Sequence, residues 1–290
     1  MTLDPTTQPI GKLFGLLTTA VAPRPICFAS TIDAVGQVNL SPFSFFNVFG
    51  ANPITFAFSA SRRVRDGSTK HTLENVLEVP ECVVNIIDYP LVEQLSLAST
   101  EYAKGVNEFE KAGFTQVASE AVRPPRVGEA PIAFECRVSQ VLPLGDGPGS
   151  GNLIIAQAVR IHLKDELLTM GGKLDSSKLD LVARMGGNDY LRAIPEAKFE
   201  IPKPLRTKGI GVDQLPSHIR NSDVLTGNNL GRLGNVEQLP SPAEIQAARE
   251  RAEIAKVRAQ GTTALHTLAQ QLLESGKTKS ALLVLMTQEL

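Results

Sequence analysis

The stretch Asn39-Leu40-Ser41-Pro42-Phe43-Ser44-Phe45-Phe46-Asn47 combines small polar residues with three phenylalanines and a proline. This mixture suits a loop whose backbone and hydroxyl groups face a flat, partly apolar ligand. Phe45 or Phe46 would contact the faces of such a ring, while serines and backbone amides would bind polar atoms along its edge. A strand crossover packed by aromatic side chains explains the same residues equally well, because large apolar residues are commonest in cores.

A basic segment, Ser68-Thr69-Lys70-His71-Thr72, follows at the start of a predicted helix over residues 68–78. The first amides of a helix are unpaired and its N-terminal end is partly positive, so phosphate groups bind there readily. Lys70 adds a cation and Thr72 adds a hydroxyl. Three arginines precede them, namely Arg62, Arg63 and Arg65. A solvated basic loop is the alternative, but both segments together predict a site for a phosphorylated planar ligand.

Short apolar runs rich in β-branched and aromatic residues extend from about residue 14 to residue 165. Glycine, proline, asparagine and aspartate separate them, which is typical of antiparallel strands. We expect strands at 26–31, 37–40, 54–59, 82–88, 132–142 and 153–163, and short helices at 68–78, 90–99 and 107–111. The sequence therefore predicts an α+β fold that is mainly β, with a barrel and peripheral short helices.

The character of the chain changes after about Tyr190. Prolines without sustained periodicity predict an extended arm or linker over residues 193–240; they are Pro195, Pro202, Pro204, Pro216 and Pro240. Ser241-Pro242-Ala243-Glu244 is a capping box with proline at the first helical position, and a leucine stripe follows. We therefore expect a barrel domain over 10–192, the arm, and a C-terminal helical extension over 241–290.

Several motifs resemble the flavin reductase-like family with an FMN-binding split β-barrel, which includes flavoredoxins and the reductase components of two-component monooxygenases. The resemblance spans about residues 10 to 192. Its motifs are Pro23-Arg24-Pro25, Ser30-Thr31, the stretch 39–47, Lys70 with Thr72, Val84-Asn85-Ile86, and Arg184-Met185-Gly186-Gly187 followed by Tyr190. Members of the family often carry aspartate between the lysine and the threonine, where this chain has His71.

The resemblance implies a set of FMN-binding residues: Arg24, Ser30, Thr31, Asn39, Ser41, Ser44, Phe45, Lys70 and Thr72. Lys70 and Thr72 would hold the phosphate, and the serines, Thr31 and Phe45 would line the ribityl chain and ring. FAD remains an alternative to FMN. The family is usually homodimeric with flavin near the subunit interface, which implies a homodimer here and would let Arg184 or Tyr190 contact the cofactor.

Two functions from different classes follow. The first is an FMN-binding oxidoreductase, in which NADH or NADPH transfers hydride to flavin N5 and the electrons pass to a partner oxygenase or a small acceptor. The second is a flavin-binding electron-transfer or storage protein without NAD(P)H turnover. His162, at the end of a strand, is the only candidate catalytic residue, and a structural histidine is its ordinary alternative.

Net charge and the absence of certain sequence patterns narrow the range of possible functions further. The net charge of -1 gives no electrostatic attraction for nucleic acid. The sequence shows no membrane span and no secretory signal pattern, so we expect a cytoplasmic protein. We expect Cys27, Cys82 and Cys136 to be reduced core residues, and we expect His218 and His266 at the surface. No metal-ligand spacing or Ser-His-acid arrangement is present, and Gln271 replaces the first glycine of a phosphate loop before Gly276-Lys277-Thr278.

Overall fold

The computed structural model describes residues 1–201 and 207–288, which divide into two compact units, Met1–Phe199 and Glu200–Leu290. The strands of the first unit are β1 Cys27–Ile32, β2 Val38–Phe43, β3 Phe46–Ala51, β4 Ile54–Ser59, β5 Glu81–Ile86, β6 Gln116–Val117, β7 Arg126–Val127, β8 Ile132–Pro143, β9 Asn152–Leu163, β10 Val182–Arg184 and β11 Tyr190–Arg192. Its helices are α1 Ile10–Ala20, α2 His71–Glu78, α3 Val92–Leu97 and α4 Glu108–Ala112.

One antiparallel sheet of seven strands dominates the first unit, in the order β2-β1-β5-β8-β9-β4-β3. Its two edge strands, β2 and β3, are consecutive in the chain and are joined only by Ser44 and Phe45. The Ser59 amide donates to the Phe45 carbonyl at 2.9 Å, which holds this corner against the end of β4. The curved sheet therefore opens between β2 and β3, and the α+β, mainly β prediction is confirmed.

Apolar clusters pack against both faces of the sheet, on the second face only around β1, β2 and β5. The inner cluster contains Phe43, Phe56 and Phe58, and α2 adds Leu73 and Val76 to it. A second cluster on the other face joins β1 and β2 to α3 and α4. The three cysteines are buried in the inner cluster, as expected, and burial raises the pKa of the Cys27 thiol.

Local sequence explains where some of the strands and helices of the first unit begin and end. The Asp33 carboxylate accepts from the amides of Val35 and Gln37, and Gly36 takes the positive φ of 95° that the β1–β2 turn requires. Helix α4 begins at the Asn107 cap and ends at Gly113, which is left-handed at φ 74°. The expected strands and the three expected helices are confirmed within a few residues at each end.

The second unit is helical and has its own apolar core. Its helices are α5 Ser217–Arg220, α6 Gly227–Gly234, α7 Pro242–Arg249, α8 Ala252–Arg258, α9 Thr262–Glu274 and α10 Thr278–Met286. The predicted capping box is present, because Ser241 and Glu244 bond each other's backbone amides at the start of α7. Across the described ranges, no helix combines the length and apolar character needed to cross a membrane.

Three features differ from the sequence-based expectations. Helix α1 was not predicted, because apolar residues at most of its positions hide any helical stripe. The stretch 39–47 is two edge strands with a two-residue corner rather than a loop, and an edge strand tolerates Pro42. The histidine at 266 lies buried in the second core rather than at the surface, while His218 is half-buried.

The expected extended arm over 193–240 also requires correction. Helices α5 and α6 lie within it, and Ile219 of α5 and Leu233 of α6 share a buried core with α9 and α10. Leu215 and Leu225, which precede these two helices, are buried in the same core. The stretch is therefore mostly part of the helical unit, because these apolar residues are buried together with the C-terminal helices. Pro202 and Pro204, on which the arm prediction partly rested, lie outside the described residues.

Candidate functional site

A buried polar network lies where β1 and β2 meet the start of α2. The Thr72 hydroxyl donates to Asn39 Oδ1 at 2.7 Å, and Asn39 Nδ2 donates to Glu108 Oε1 at 3.0 Å. Beside it, Asn75 Nδ2 donates to the Thr31 hydroxyl at 3.1 Å. These bonds hold α2 against the edge of the sheet, because moving the helix away would leave buried polar groups without hydrogen-bond partners.

Glu108 anchors this network from α4. Its second oxygen, Oε2, accepts from the Leu40 amide at 3.0 Å. Burial raises the pKa of the Glu108 carboxyl, and the bonds from Leu40 and Asn39 partly oppose that rise. The carboxylate therefore ties α4 to β2 and has no free oxygen facing solvent.

A small cleft that is open to solvent lies beside this network. It brings together Ser41, Lys70 and Thr72, three of the residues expected at the cofactor site. Its remaining lining is mostly polar and consists of Arg63, His71, Ala98, Ser99, Thr100, Glu101, Tyr102 and Glu108. The residues from 98 to 102 carried no sequence signal, because they join the cleft through the packing of α3 rather than through a local motif.

Lys70 is the central cation of the cleft. Its Nζ lies 5.5 Å from the centroid of the Phe43 ring, and it makes no hydrogen bond or ion pair within the described residues. Burial lowers the pKa of the Lys70 ammonium, the Arg63 charge lowers it further, and the Glu101 charge partly opposes that fall. An ammonium that is desolvated and lacks an acceptor is a strong candidate for binding an anion.

Helix α2 contributes backbone groups to the same cleft. It begins at His71 directly after Lys70, whose side chain makes no capping bond. The first amides of a helix have no intrahelical acceptor, so those of His71 and Thr72 are suitable donors to an anion. The predicted helix start is thus confirmed, and the buried Thr72 hydroxyl is engaged with Asn39 rather than facing the cleft.

The β2–β3 corner forms a second part of the candidate site. Ser44 is half-buried and Phe45 is 37% exposed, so both present atoms to solvent at the opening of the sheet. Phe14 of α1 lies against Phe45, with ring centroids 6.1 Å apart. This corner offers a hydroxyl and an aromatic face at the place where the sheet is split.

The Arg24 side chain forms hydrogen bonds that hold this corner in place. Its buried guanidinium donates to Ser44 Oγ at 3.3 Å, to Met185 O at 3.0 Å, to Val21 O at 2.8 Å and to the carbonyl of Thr18. It also lies 5.9 Å from the centroid of the Phe45 ring. Because these acceptors occupy its donors, Arg24 connects the end of α1, the corner and the turn after β10.

The other predicted residues occupy structural positions. Ser30 is fully buried, and its hydroxyl donates to the Pro125 carbonyl at 2.5 Å. His162 Nε2 donates to Glu135 Oε1 at 2.6 Å, and the same carboxylate accepts from the amides of Glu120 and Ala121. The Arg184 guanidinium stacks on Tyr190, 4.6 Å from the ring centroid. His162 therefore fastens a loop to the sheet, which is the structural alternative considered for it.

Comparison with known proteins assigns the first unit to a family. Residues 20–177, more than half of the chain, match the model of the flavin reductase like domain. Relatives of uncharacterized function include one from Aquifex aeolicus, 36% identical over 65% of this chain and 94% of the relative, and one from Halalkalibacterium halodurans, 37% identical over 66% and 91%. The chain belongs to the flavin reductase-like family.

Solved structures agree with that assignment. Nitrilotriacetate monooxygenase component B from Bacillus cereus is 30% identical, with a TM-score of 0.64 over 69% of this chain and 98% of that one. The 2-nitrobenzoate 2-nitroreductase NbaA from Pseudomonas fluorescens is 25% identical, with a TM-score of 0.61 over 72% and 100%. Flavoredoxin of Desulfovibrio vulgaris, 18% identical with a TM-score of 0.54 over 71% and 98%, shares the fold. The predicted split β-barrel is confirmed, and the protein is a member of a flavin oxidoreductase family.

Proposed function

We propose that this protein binds FMN and reduces it with NADH or NADPH, and that the electrons pass to a partner oxygenase or a small acceptor. The observation that carries the proposal is Lys70, a half-buried ammonium with no acceptor among the described residues, in a cleft that Ser41 and the start of α2 also line. A phosphate ester supplies the acceptor oxygens that this cation and the free helix amides lack.

The residues present fit a phosphorylated flavin at two places. At the cleft, Lys70, the Ser41 hydroxyl and the amides of His71 and Thr72 would hold the phosphate. At the β2–β3 corner, Ser44 and Phe45 would contact the ribityl chain and the ring. Ser30, Thr31, Asn39 and the Thr72 hydroxyl would act indirectly by holding the strands and α2 in place, because their polar atoms already bond within the protein.

The chain's part in the reaction is positioning. FMN held by these residues would supply the electron-accepting ring for hydride from the nicotinamide, and that chemistry would belong to the two cofactors. Phe45 and Ser44 would orient the ring edge, while the cationic cleft would fix the phosphate end. No side chain needs to act as an acid or base, which agrees with the structural role of His162 beside Glu135.

We also propose that the barrel unit pairs with a second copy of the chain. Large apolar side chains are exposed along α1, β3 and β9; they include Ile10, Phe14, Leu17, Val48, Phe49, Val159, Ile161 and Leu163. Large exposed apolar patches are uncommon on monomers and often lie at interfaces, which supports pairing through these elements. Light scattering should give twice the 31.1 kDa chain mass, and a monomer at micromolar concentration would contradict this part of the proposal.

The deciding experiment is an anaerobic spectrum of the purified protein, loaded with FMN, before and after NADH or NADPH. Bleaching of the yellow colour at a catalytic rate supports the reductase and identifies the donor. Yellow protein that resists both nucleotides would favour the alternative of electron transfer or storage. A protein that does not bind FMN at all would contradict both.

A further inference from the structure

Glu101 places a negative charge on the rim of the cationic cleft. It follows α3 in the chain and lies near the segment that precedes Lys70. Its Oε1 is 3.1 Å from Arg63 Nε, and its Oε2 is 3.1 Å from an Arg65 terminal nitrogen. The cleft therefore already holds one anion, which is supplied by the chain itself.

The contacts of Arg63 show that this carboxylate is not needed to hold the arginine in place. Arg63 also donates to Ser68 Oγ at 2.9 Å and to the Thr69 carbonyl at 2.5 Å, both just before α2. The Glu101 side chain is 53% exposed, whereas that of Arg63 is 19% exposed, so the carboxylate is the partner that water reaches. Water and salt weaken the attraction of such a carboxylate for its partner.

We propose that Glu101 competes with the flavin phosphate for Arg63, and so keeps FMN weakly enough bound to dissociate as a substrate. The inference rests on the proposed function. Arg63 lines the same cleft as Lys70, whereas Arg65 does not line it and also pairs with Asp66. A phosphate on Lys70 gains the Arg63 guanidinium only when Glu101 releases it, and the Glu101 carboxylate repels the phosphate while that ion pair persists.

The test is a titration of FMN and riboflavin against the parent protein and the Glu101→Gln variant. Riboflavin lacks the phosphate, so the ratio of the two dissociation constants isolates the phosphate contribution. We expect Glu101→Gln to tighten FMN binding by about three- to tenfold and to slow FMN dissociation, with riboflavin binding unchanged. Flavin fluorescence follows both ligands.

The chain offers a matched control. Glu120 pairs with Arg160 at 3.4 Å, the two side chains are 57% and 54% exposed, and neither lines the cleft. Glu120→Gln removes the same charge from a similar exposed pair in the same unit. It should leave the affinities for FMN and riboflavin as they are in the parent.

The possible outcomes separate this inference from the proposed function. If the parent prefers FMN to riboflavin and Glu101→Gln increases that preference while Glu120→Gln does not, the inference is supported. If Glu101→Gln leaves the preference unchanged or reduces it, Glu101 does not compete with phosphate, although the phosphate site stands. If the parent binds FMN no more tightly than riboflavin, the phosphate site itself is misplaced, and both ideas fail.

Discussion

The two units each contain a buried polar network, and the networks differ in what surrounds them. In the barrel unit, Thr72, Asn39 and Glu108 form the Asn39 network beside a cleft whose lysine has no acceptor among the described residues. In the helical unit, Ser222, His266 and Gln288 form the His266 network, in which the partners satisfy one another. A buried polar network alone therefore does not indicate a binding site. The proposed site differs from the His266 network by a cation that lies next to the Asn39 network without belonging to it.

The largest effect should come from breaking the Asn39 network. Asn39→Ala removes one acceptor from Thr72 and one donor from the buried Glu108 carboxylate. We expect a loss of about 2–4 kcal/mol in the free energy of unfolding of the barrel unit, because buried groups are left without partners. Urea unfolding followed by tyrosine emission measures it, because the chain has no tryptophan and all three tyrosines, Tyr89, Tyr102 and Tyr190, lie in the barrel unit.

Asn188 provides the control for that substitution. It is an exposed asparagine between β10 and β11, and its side chain makes no hydrogen bond with the described residues. Asn188→Ala should change the unfolding free energy by less than about 0.5 kcal/mol, as is usual at surface positions. Equal losses in both variants would mean that the Asn39 network contributes no more than any surface asparagine.

The second-largest effect should be on the affinity for FMN rather than on the free energy of unfolding. Lys70→Ala should weaken FMN binding by about 1.5–3 kcal/mol through loss of a charge-assisted contact, and riboflavin binding should not change. The unfolding free energy should hold or rise, because the substitution removes a desolvated charge. Lys12→Ala, at an exposed lysine that does not line the cleft, is the control. Equal FMN affinity in the Lys70 variant and the parent would show that the phosphate binds elsewhere.

Local sequence predicted the parts of the molecule that local interactions determine. Alternation and turn residues located the strands, and the basic helix start located Lys70 and the beginning of α2. The resemblance implied a split barrel, but the residues alone did not locate the opening at the β2–β3 corner, because its position depends on the pairing of distant strands. Glu108 is 69 residues from Asn39, and Arg65 is 36 residues from Glu101, so neither pairing leaves a periodic pattern in the sequence. Whether a motif hydroxyl is free, as in Ser41, or engaged, as in Ser30, also follows from tertiary packing.

The smallest effect concerns the His266 network and is expected to depend on pH. The Ser222 hydroxyl oxygen accepts from the amides of Val224 and Leu225, so its hydrogen is directed at His266 Nδ1, 2.6 Å away. The other ring nitrogen, Nε2, then donates to Gln288 Oε1 at 3.1 Å. This arrangement requires the neutral ring, because a protonated Nδ1 could not accept from Ser222.

The sign of the pH effect follows from the pKa of His266. Burial lowers that pKa below its unfolded value of about 6.5, so between the two values the unfolded chain binds more protons than the folded one. The stability of the helical unit should therefore be fully present above about pH 6.5 and should decline as the pH falls below it. Circular dichroism at helical wavelengths, with tyrosine emission as the separate signal of the barrel, follows this unit. His266→Gln should flatten the decline, whereas the half-buried control His218→Gln should retain most of it; a decline that survives in the His266 variant would assign it to other groups. In that case the partners in the His266 network would still satisfy one another, but the network would not cause the pH dependence of the helical unit.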